Sequence, residues 1–412
     1  MLYKLNNLEK WKSWTLFVLW VILIYATIPV AREIQVFISG QWGRQFFFYA
    51  VAITVVLCLF CSFVYLIRIH RKALASNYAW IFITGAIYMY YSYQLSKGSP
   101  EEAVHFIQYG VLGVLGFRAL SQSMRDSAIY VSAGLICALV GTSDEIIQWL
   151  TPKRYWDFRD VWINAVGGGL IQISIWKGFN PEFISLKWSK KSIKNVCHLS
   201  IVTILLLGCC ASNTPTRVEW MMERFPSIRG LERNLNLMNE FGYMHADEKF
   251  GHFYSRFTIS DLRIEDQKRF TEAATILDKY RNNSDYDTFL SKYTPVTDPF
   301  LHEARVHLFR RDEYLKKAIR ENDTDQYLEN LRIAWAENLL MKKYFSLTLR
   351  HSSYVLSSEI SILFESLTNG KADYKSAVDR HLFTKITERN MWLIITISVV
   401  ALALIPSILK RK

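Results

Sequence analysis

Cysteine is scarce in this chain and unevenly placed. Six occur among 412 residues (Cys58, Cys61, Cys137, Cys197, Cys209, Cys210), all inside apolar runs, and none lies between 213 and 389. That gap removes any disulfide framework and any thiolate zinc site from the polar part. Cys58-x-x-Cys61 sits in an apolar run and is read as packing, not as a redox pair. No Walker-type Lys-Ser/Thr follows the triplet Gly167, Gly168, Gly169, and no His-Glu-x-x-His spacing occurs. A phosphate loop and a zincin-type metal site are therefore not expected. Positive charge is also missing where a nucleic acid would need it. The net charge is +12, yet residues 213–389 hold about 27 Lys and Arg against about 27 Asp and Glu. The surplus flanks the apolar runs, as the positive-inside rule requires, so no nucleic-acid partner is expected.

What the chain has in abundance is apolar length. It is 51% hydrophobic and 15% aromatic with 21% charged residues, too apolar for one soluble domain and too charged for a membrane bundle alone. Apolar runs long enough to cross ~30 Å of hydrocarbon fall near 14–31, 46–68, 77–95, 103–120, 127–150, 161–179, 195–212 and 391–409. The expected fold is all-α: a polytopic bundle of about eight spans with an inserted, outward-facing soluble helical domain. Its divisions are a membrane domain over 1–212, an extracytoplasmic domain over 213–389, and a last span with a basic tail over 390–412.

Orientation follows from the short loops. Lys4, Lys10 and Lys12 precede the first run, Arg68, Arg71 and Lys72 follow the second, and Arg118 and Arg125 flank the turn after the fourth. Lys177, Lys187, Lys190, Lys191 and Lys194 separate the sixth from the seventh, and "KRK" ends the sequence. These segments alternate to one side, which should be cytoplasmic. Both termini then lie in the cytoplasm of a bacterial plasma membrane and residues 213–389 lie outside it. The first run is longer than a signal-peptide core, lacks a clear small-x-small site, and is expected to be retained. The "LLLGCCAS" stretch is internal, so lipid attachment is not expected there.

The 213–389 block reads as helical. "EDQKRFTEAATILDKYR" and "QYLENLRIAWAENLLMKKYF" carry apolar residues at three-and-four spacing, and β-alternation is scarce. Breaks are expected at "RNNSDYD" and "YTPVTDPF", and Ser260 is a plausible N-cap of the helix after "FTI". Two patches, His245–Phe257 and Leu301–Leu315, mix His, Arg, acids and aromatics. His302 with Glu303 can help form a metal site, and His307 with Arg310 and Arg311 an anion site. The plainer reading has Arg305, Arg310 and Asp312 in helix-surface ion pairs.

The densest chemistry lies at "SDEIIQWLTPKRYWDFRDVWIN", between the fifth and sixth spans. Asp144 and Gln148 are four apart with Glu145 beside them, Asp160 and Asn164 are four apart, and so are His105 and Tyr109 at the start of the fourth span. Helical geometry sets each pair on one face. All three faces fall at one depth, shallowly under the outer leaflet, with "TPKRYWDFR" over them. A charge at the bilayer centre costs at least ~2.5–3.5 kcal/mol, so residues of this kind face a partner or a wet cavity. The competing reading is a packing lock, in which Arg154 or Arg159 neutralises Asp144, Glu145 or Asp160.

The stretches "VHFIQYGVLGVLGFRAL" and "DEIIQWLTPKRYWDFRDVWINAVGGGLIQ" resemble the VanZ-like family of bacterial membrane proteins. Its pattern is a His-x-x-x-Tyr helix, an Asp-Glu-x-x-Gln helix end, Pro-x-Arg, Asp-x-x-x-Asn and a glycine-rich helix. The resemblance covers roughly residues 40–180 and departs at Gln108, where the family pattern has an acidic residue. It implies a cell-envelope protein, through a namesake associated with low-level resistance to the glycopeptide teicoplanin.

Two functions are expected from these residues. In the first, an outer-leaflet pocket binds or modifies a lipid-linked precursor or a lipid headgroup. His105, Asp144, Glu145 or Asp160 acts as base or, for a divalent metal, as ligand; Arg154 holds a phosphate, and Tyr109, Gln148 and Asn164 orient the substrate. No other cofactor is expected. In the second, the bundle is a non-enzymatic scaffold whose 213–389 block recruits a protein partner in wall or exopolysaccharide assembly. A transporter ranks third, because the acids crowd one interface and no inverted repeat is evident.

Overall fold

A computed structural model describes residues 2–69, 73–151, 154–225, 237–366 and 374–411. Arg71, Lys72, Pro152 and Lys153, named above, lie outside these residues. The chain divides into two compact units, one formed by Met1–Cys209 with Trp392–Lys412 and one by Cys210–Met391.

The first unit is helical. Its elements are α1 (Leu2–Thr27), α2 (Ala31–Trp42), α3 (Phe46–Arg68), α4 (Ala75–Ser96), α5 (Ala103–Leu120), α6 (Ala128–Leu150), α7 (Phe158–Ile173), most of α8 (Lys190–Ala211) and most of the last helix, Glu388–Arg411. Among the described residues, five helices are long and apolar enough to cross a membrane: Phe46–Arg68, Pro100–Leu120, Ala128–Leu150, Lys190–Ala211 and Glu388–Ile408. A sixth is counted if α1 and α2, which meet at 74°, make one broken span. The break falls at "TIPVA", where Pro29 removes a backbone donor and disfavours a helical residue before it. Of the eight expected runs, 77–95 and 161–179 are helical but fall short by this measure. α4 mixes polar side chains into its apolar run, with Ser92 and Thr84 buried, and α7 ends at 16 residues, where a π-helical turn takes over.

Burial separates centre from rim. Half of the apolar window of α6 and 44% of that of α5 is buried, against 17% for α3 and 6% for the last helix. The rim helices show apolar side chains outward, as lipid contact demands, and α5, α6 and α7 pack on one another. Two close approaches depend on glycine. A Cβ at Gly168 would meet Cys137 Cβ at 2.6 Å, and one at Gly141 would meet Asn164 Cβ at 2.8 Å. The α6 and α7 backbones can approach only because each offers a glycine to the other. From α1, the Trp20 indole donates to the Gln108 carbonyl at 2.9 Å and the Tyr25 hydroxyl to the Val140 carbonyl at 3.2 Å, which fastens α1 across α5 and α6.

The second unit is mainly helical around one apolar core that includes Phe253, Phe300, Leu308, Trp335, Leu340 and Phe345. Its helices include α9 (Pro215–Arg224), α10 (Ile259–Lys279), α11 (Tyr286–Lys292), α12 (Pro299–Arg320) and α13 (Thr324–Tyr344), with shorter ones after them. The all-helical expectation needs an addition here. Strands β1 (Tyr243–Asp247) and β2 (Gly251–Ser255) form an antiparallel hairpin, and β3 (Tyr374–Lys375) adds in parallel beside β2. The His245–Phe257 patch is thus a hairpin. Its aromatic and histidine residues alternate in and out along β2, with Phe253 fully buried.

The breaks near 281–287 and 293–300 fall between helices, and Asp298 caps α12 by accepting from Leu301 N at 3.1 Å. The N-cap of α10 is Thr258, not Ser260. The Thr258 hydroxyl accepts from Asp261 N at 3.1 Å, the third-residue N–H that a cap must reach.

Arg305 is also not a surface residue. It is 1% exposed, and its guanidinium lies 4.9 Å from the Tyr286 ring centroid with Phe309 and Tyr354 each at 5.8 Å. Arg310 pairs with Glu337 at 3.2 Å. Glu303 accepts from Ser255 and from Arg256 N, each at 2.7 Å, and His302 Nδ1 meets the Tyr293 carbonyl at 3.1 Å. The two point to different partners, and among the described residues they belong to no group of three or more metal-type ligands. His307 pairs with Glu337 at 2.6 Å and Arg311 with Asp312 and the Tyr354 carbonyl, which uses up the proposed anion site in the domain's own core.

Candidate functional site in the membrane bundle

Three helix ends meet at one level of the bundle. The α5 helix begins after a short 3-10 turn, Pro100–Glu102. Proline suits a first helical position, and Glu101 and Glu102 suit the positive end of the helix dipole. One turn on, α5 presents His105 and Tyr109. The α6 helix ends with Asp144, Glu145 and Gln148. Asp157 starts α7 by accepting from Arg159 N at 2.7 Å, and that helix brings in Asp160 and Asn164.

The side chains form two separate sets of hydrogen bonds. Tyr109 donates to Asp144 Oδ2 at 3.1 Å. Gln148 donates to Glu145 Oε1 at 2.7 Å, and Arg154 donates to the Gln148 side-chain oxygen Oε1. The second Glu145 oxygen accepts from Asp157 N at 3.3 Å. Glu145 and Asn164 are fully buried, and Asp144 and Gln148 nearly so. The bonds join Tyr109 to Asp144 and join Glu145, Gln148, Arg154 and Asp157, and Asn164 lies beside Tyr109 against Gly141. Asp160 sits at the edge of the site, 4.0 Å from Arg159 Nε.

The bonding is incomplete. Among the described residues, His105 Nδ1, Asp144 Oδ1, Asp160 Oδ1 and both amide atoms of Asn164 are buried with no hydrogen-bond partner. Each such atom costs about 1–3 kcal/mol relative to a satisfied one.

Sequence reasoning missed Glu102. Its carboxylate takes Arg159 at 2.5 Å, so Arg159 neutralises a residue of the 3-10 turn before α5 instead of Asp144 or Glu145. The neighbouring Glu101 takes Arg44 at 2.8 Å and Gln35 at 2.7 Å. The signal was "SPEEAVH", a proline and two acids opening the helix that carries His105. The contribution of α1 was also missed, and its only sign was a Trp and a Tyr within an apolar run. Gln108, the departure from the family pattern, supplies its backbone carbonyl to Trp20.

Residues 14–180 match the family model VanZ/LLP1. This stretch of the chain is similar to that family. The match starts earlier than the motifs alone suggest and takes in α1 and α2 as well as the cluster. The Cys210–Met391 unit lies outside it. Neither the curated proteins nor the solved structures yield a match to the chain. Among the described residues no group of three or more His, Cys, Asp or Glu is arranged to hold a metal ion.

Proposed function

We propose that the VanZ-like domain binds the polar headgroup of an envelope lipid or lipid-linked precursor at the His105–Asn164 cluster, from the outer side of a bacterial plasma membrane. The observation that carries this reading is Asn164. Its amide is fully buried with neither its oxygen nor its nitrogen paired among the described residues. A helix lock selected only for packing would satisfy such atoms or replace them. A hydroxyl- or phosphate-bearing headgroup offers the missing donors and acceptors to Asn164, His105 Nδ1 and Asp144 Oδ1.

Arg154 is the cation suited to a headgroup phosphate. Its bond to Gln148 is the one a bound headgroup exchanges. If the ligand is chemically changed, His105 and Asp144 are the imidazole and carboxylate of the cluster suited to move a proton. The basic flanks support an orientation with both termini inside and the 213–389 block outside. A wall precursor held there would also alter glycopeptide susceptibility.

The test compares lipid and cell-wall fragment profiles in cells lacking the protein and in cells carrying wild-type, Asn164→Ala, Asp144→Asn or Arg154→Gln chains at equal membrane abundance. A profile restored by wild type and by none of the variants supports the reading. Full restoration by all three sinks it.

The scaffold reading keeps one supporting observation. The second unit lies outside the VanZ-like match and has an apolar core of its own. Removing residues 213–389 separates the two: a self-contained pocket keeps its profile, and a scaffold loses it.

A further inference from the structure

A cavity lies at the other end of the α5–α6 pair, away from the cluster. It holds about 840 Å³, within the size range of small-ligand pockets. Its wall comes from the turn between α5 and α6, from the segment leading into α8, from the first turns of α8, and from Lys10 of α1. Ser132, at its α6 side, precedes Asp144 by roughly 18 Å along the helix axis at ~1.5 Å per residue.

The lining is strongly cationic. Lys10, Arg125, Lys187, Lys191 and His198 face it, and the acid among them is Asp126. Asp126 is already committed. It accepts from Ser192 Oγ at 2.7 Å, Ser189 N at 3.0 Å and Ala128 N at 3.2 Å. These bonds staple the α5–α6 turn to the start of α8. Backbone bonds from Ser127 N to the Ser185 carbonyl and from Ser185 N to the Arg125 carbonyl, each 2.8 Å, complete the staple. The wall is therefore fixed, while no acid among the described residues pairs with Lys10, Arg125, Lys187 or Lys191.

An independent sign of a ligand comes from Ser132. It is 1% exposed, its hydroxyl has no hydrogen-bond partner among the described residues, and it lines the cavity. Helix hydroxyls without a ligand ordinarily bond back to the carbonyl four residues earlier, as Thr142 does to Ala138 at 2.8 Å. Charge clusters that serve only membrane orientation need neither a cavity nor a buried hydroxyl.

We propose that this cavity binds a phosphate-bearing anion, held by Lys187, Lys191 and Arg125 with the Ser132 hydroxyl as a further partner. The site is separate from the cluster at the far end of α6 and does not depend on the function proposed for that cluster. Its place at the ends of the spans admits either a lipid phosphate or a soluble one, and the two sources share the chemistry.

The experiment uses the full chain purified in detergent. Native mass spectrometry measures retention of phosphatidylglycerol against phosphatidylcholine, and calorimetry measures binding of pyrophosphate. Each is done on wild type, the double variant Lys187→Gln/Lys191→Gln, the double variant Lys187→Arg/Lys191→Arg, and Ser132→Ala. Selective retention of phosphatidylglycerol that weakens about tenfold or more in the Gln pair and persists in the Arg pair is expected for a lipid phosphate, a loss matching one hydrogen bond to a charged group. The same pattern with pyrophosphate identifies a soluble ligand. Should the Gln pair fail to fold, Ser132→Ala decides, with weaker binding expected. No binding of either probe, or equal binding by wild type and the folded variants, overturns the proposal and leaves these lysines as orientation signals.

Discussion

Tyr109 holds Asp144 by one oxygen only. The 3.1 Å bond from the α5 hydroxyl to Asp144 Oδ2 leaves Oδ1 buried and without a partner among the described residues. The carboxylate is therefore half committed to structure and half open.

That division predicts different outcomes for two neighbours. Tyr109→Phe removes the existing bond and isolates Asp144 further, at about 1–3 kcal/mol of stability. Asn164→Ala removes an amide that makes no bond, so its melting temperature in detergent should stay the same or rise. If the cluster is a site, Asn164→Ala nonetheless abolishes the envelope phenotype. Thermal melts and complementation, run on the same preparations, separate the two. A large loss of stability in Asn164→Ala argues for the packing lock instead.

Gly168→Ala drives a methyl group into Cys137, whose Cβ lies 2.6 Å from the ideal position. Overpacking of this kind costs about 1–3 kcal/mol. Adding Cys137→Gly should recover most of it, because the obstacle is then gone. A double variant no better than Gly168→Ala would show that the α6–α7 contact is not what the glycine serves.

In the second unit Arg256 faces three carboxylates, Glu240 at 2.7 Å, Asp379 at 2.8 Å and Glu303 at 3.3 Å. Burial and the Asp379 charge raise the Glu303 carboxyl, against the Arg256 guanidinium. Arg256→Leu leaves these acids buried together without their cation, which should cost about 3–5 kcal/mol. Limited proteolysis of membranes should then cut within 213–389 while the apolar helices remain protected.

His307 and Glu337 give the same unit a pH dependence. Burial disfavours a charged His307, but the Glu337 charge and its 2.6 Å bond outweigh this and raise the imidazole above its ordinary 6.5. Burial likewise opposes Glu337, yet His307, Tyr374 and Ser376 hold it below its ordinary 4.5. A raised histidine stabilises fully below its unfolded value and fades as pH climbs through the folded one. A lowered carboxylate stabilises above its unfolded value and fades as pH drops through the folded one. The pair therefore contributes most between 4.5 and 6.5. Protection factors of α12 and α13 from hydrogen exchange on the full chain should be higher at pH 5.5 than at pH 8.5, and Glu337→Gln should flatten that difference.

The cluster was legible because helical spacing is a strict rule. Pairs four apart at the ends of three apolar runs can share a face in only one way, and His105, Tyr109, Asp144, Gln148, Asp160 and Asn164 meet accordingly. Partner choice was not legible. Arg159 had several acids within plausible reach, and the selection of Glu102 depends on how α5 and α7 are placed by tertiary packing. The hairpin at 243–255 was hidden for a different reason. Its strands have five residues each, and β1 is largely exposed, so the alternation is too short to stand out from its helical surroundings. Arg305 was misread because charge normally marks a surface, whereas an aromatic cage makes burial of a guanidinium tolerable.

The core of the 213–389 region combines no cysteine with paired internal charges, among them Arg256 with its three acids and His307 with Glu337. Its folding is consequently indifferent to thiol oxidants and reductants. Whatever redox conditions prevail where it resides, the quantities that tune its stability are proton concentration and the integrity of those pairs.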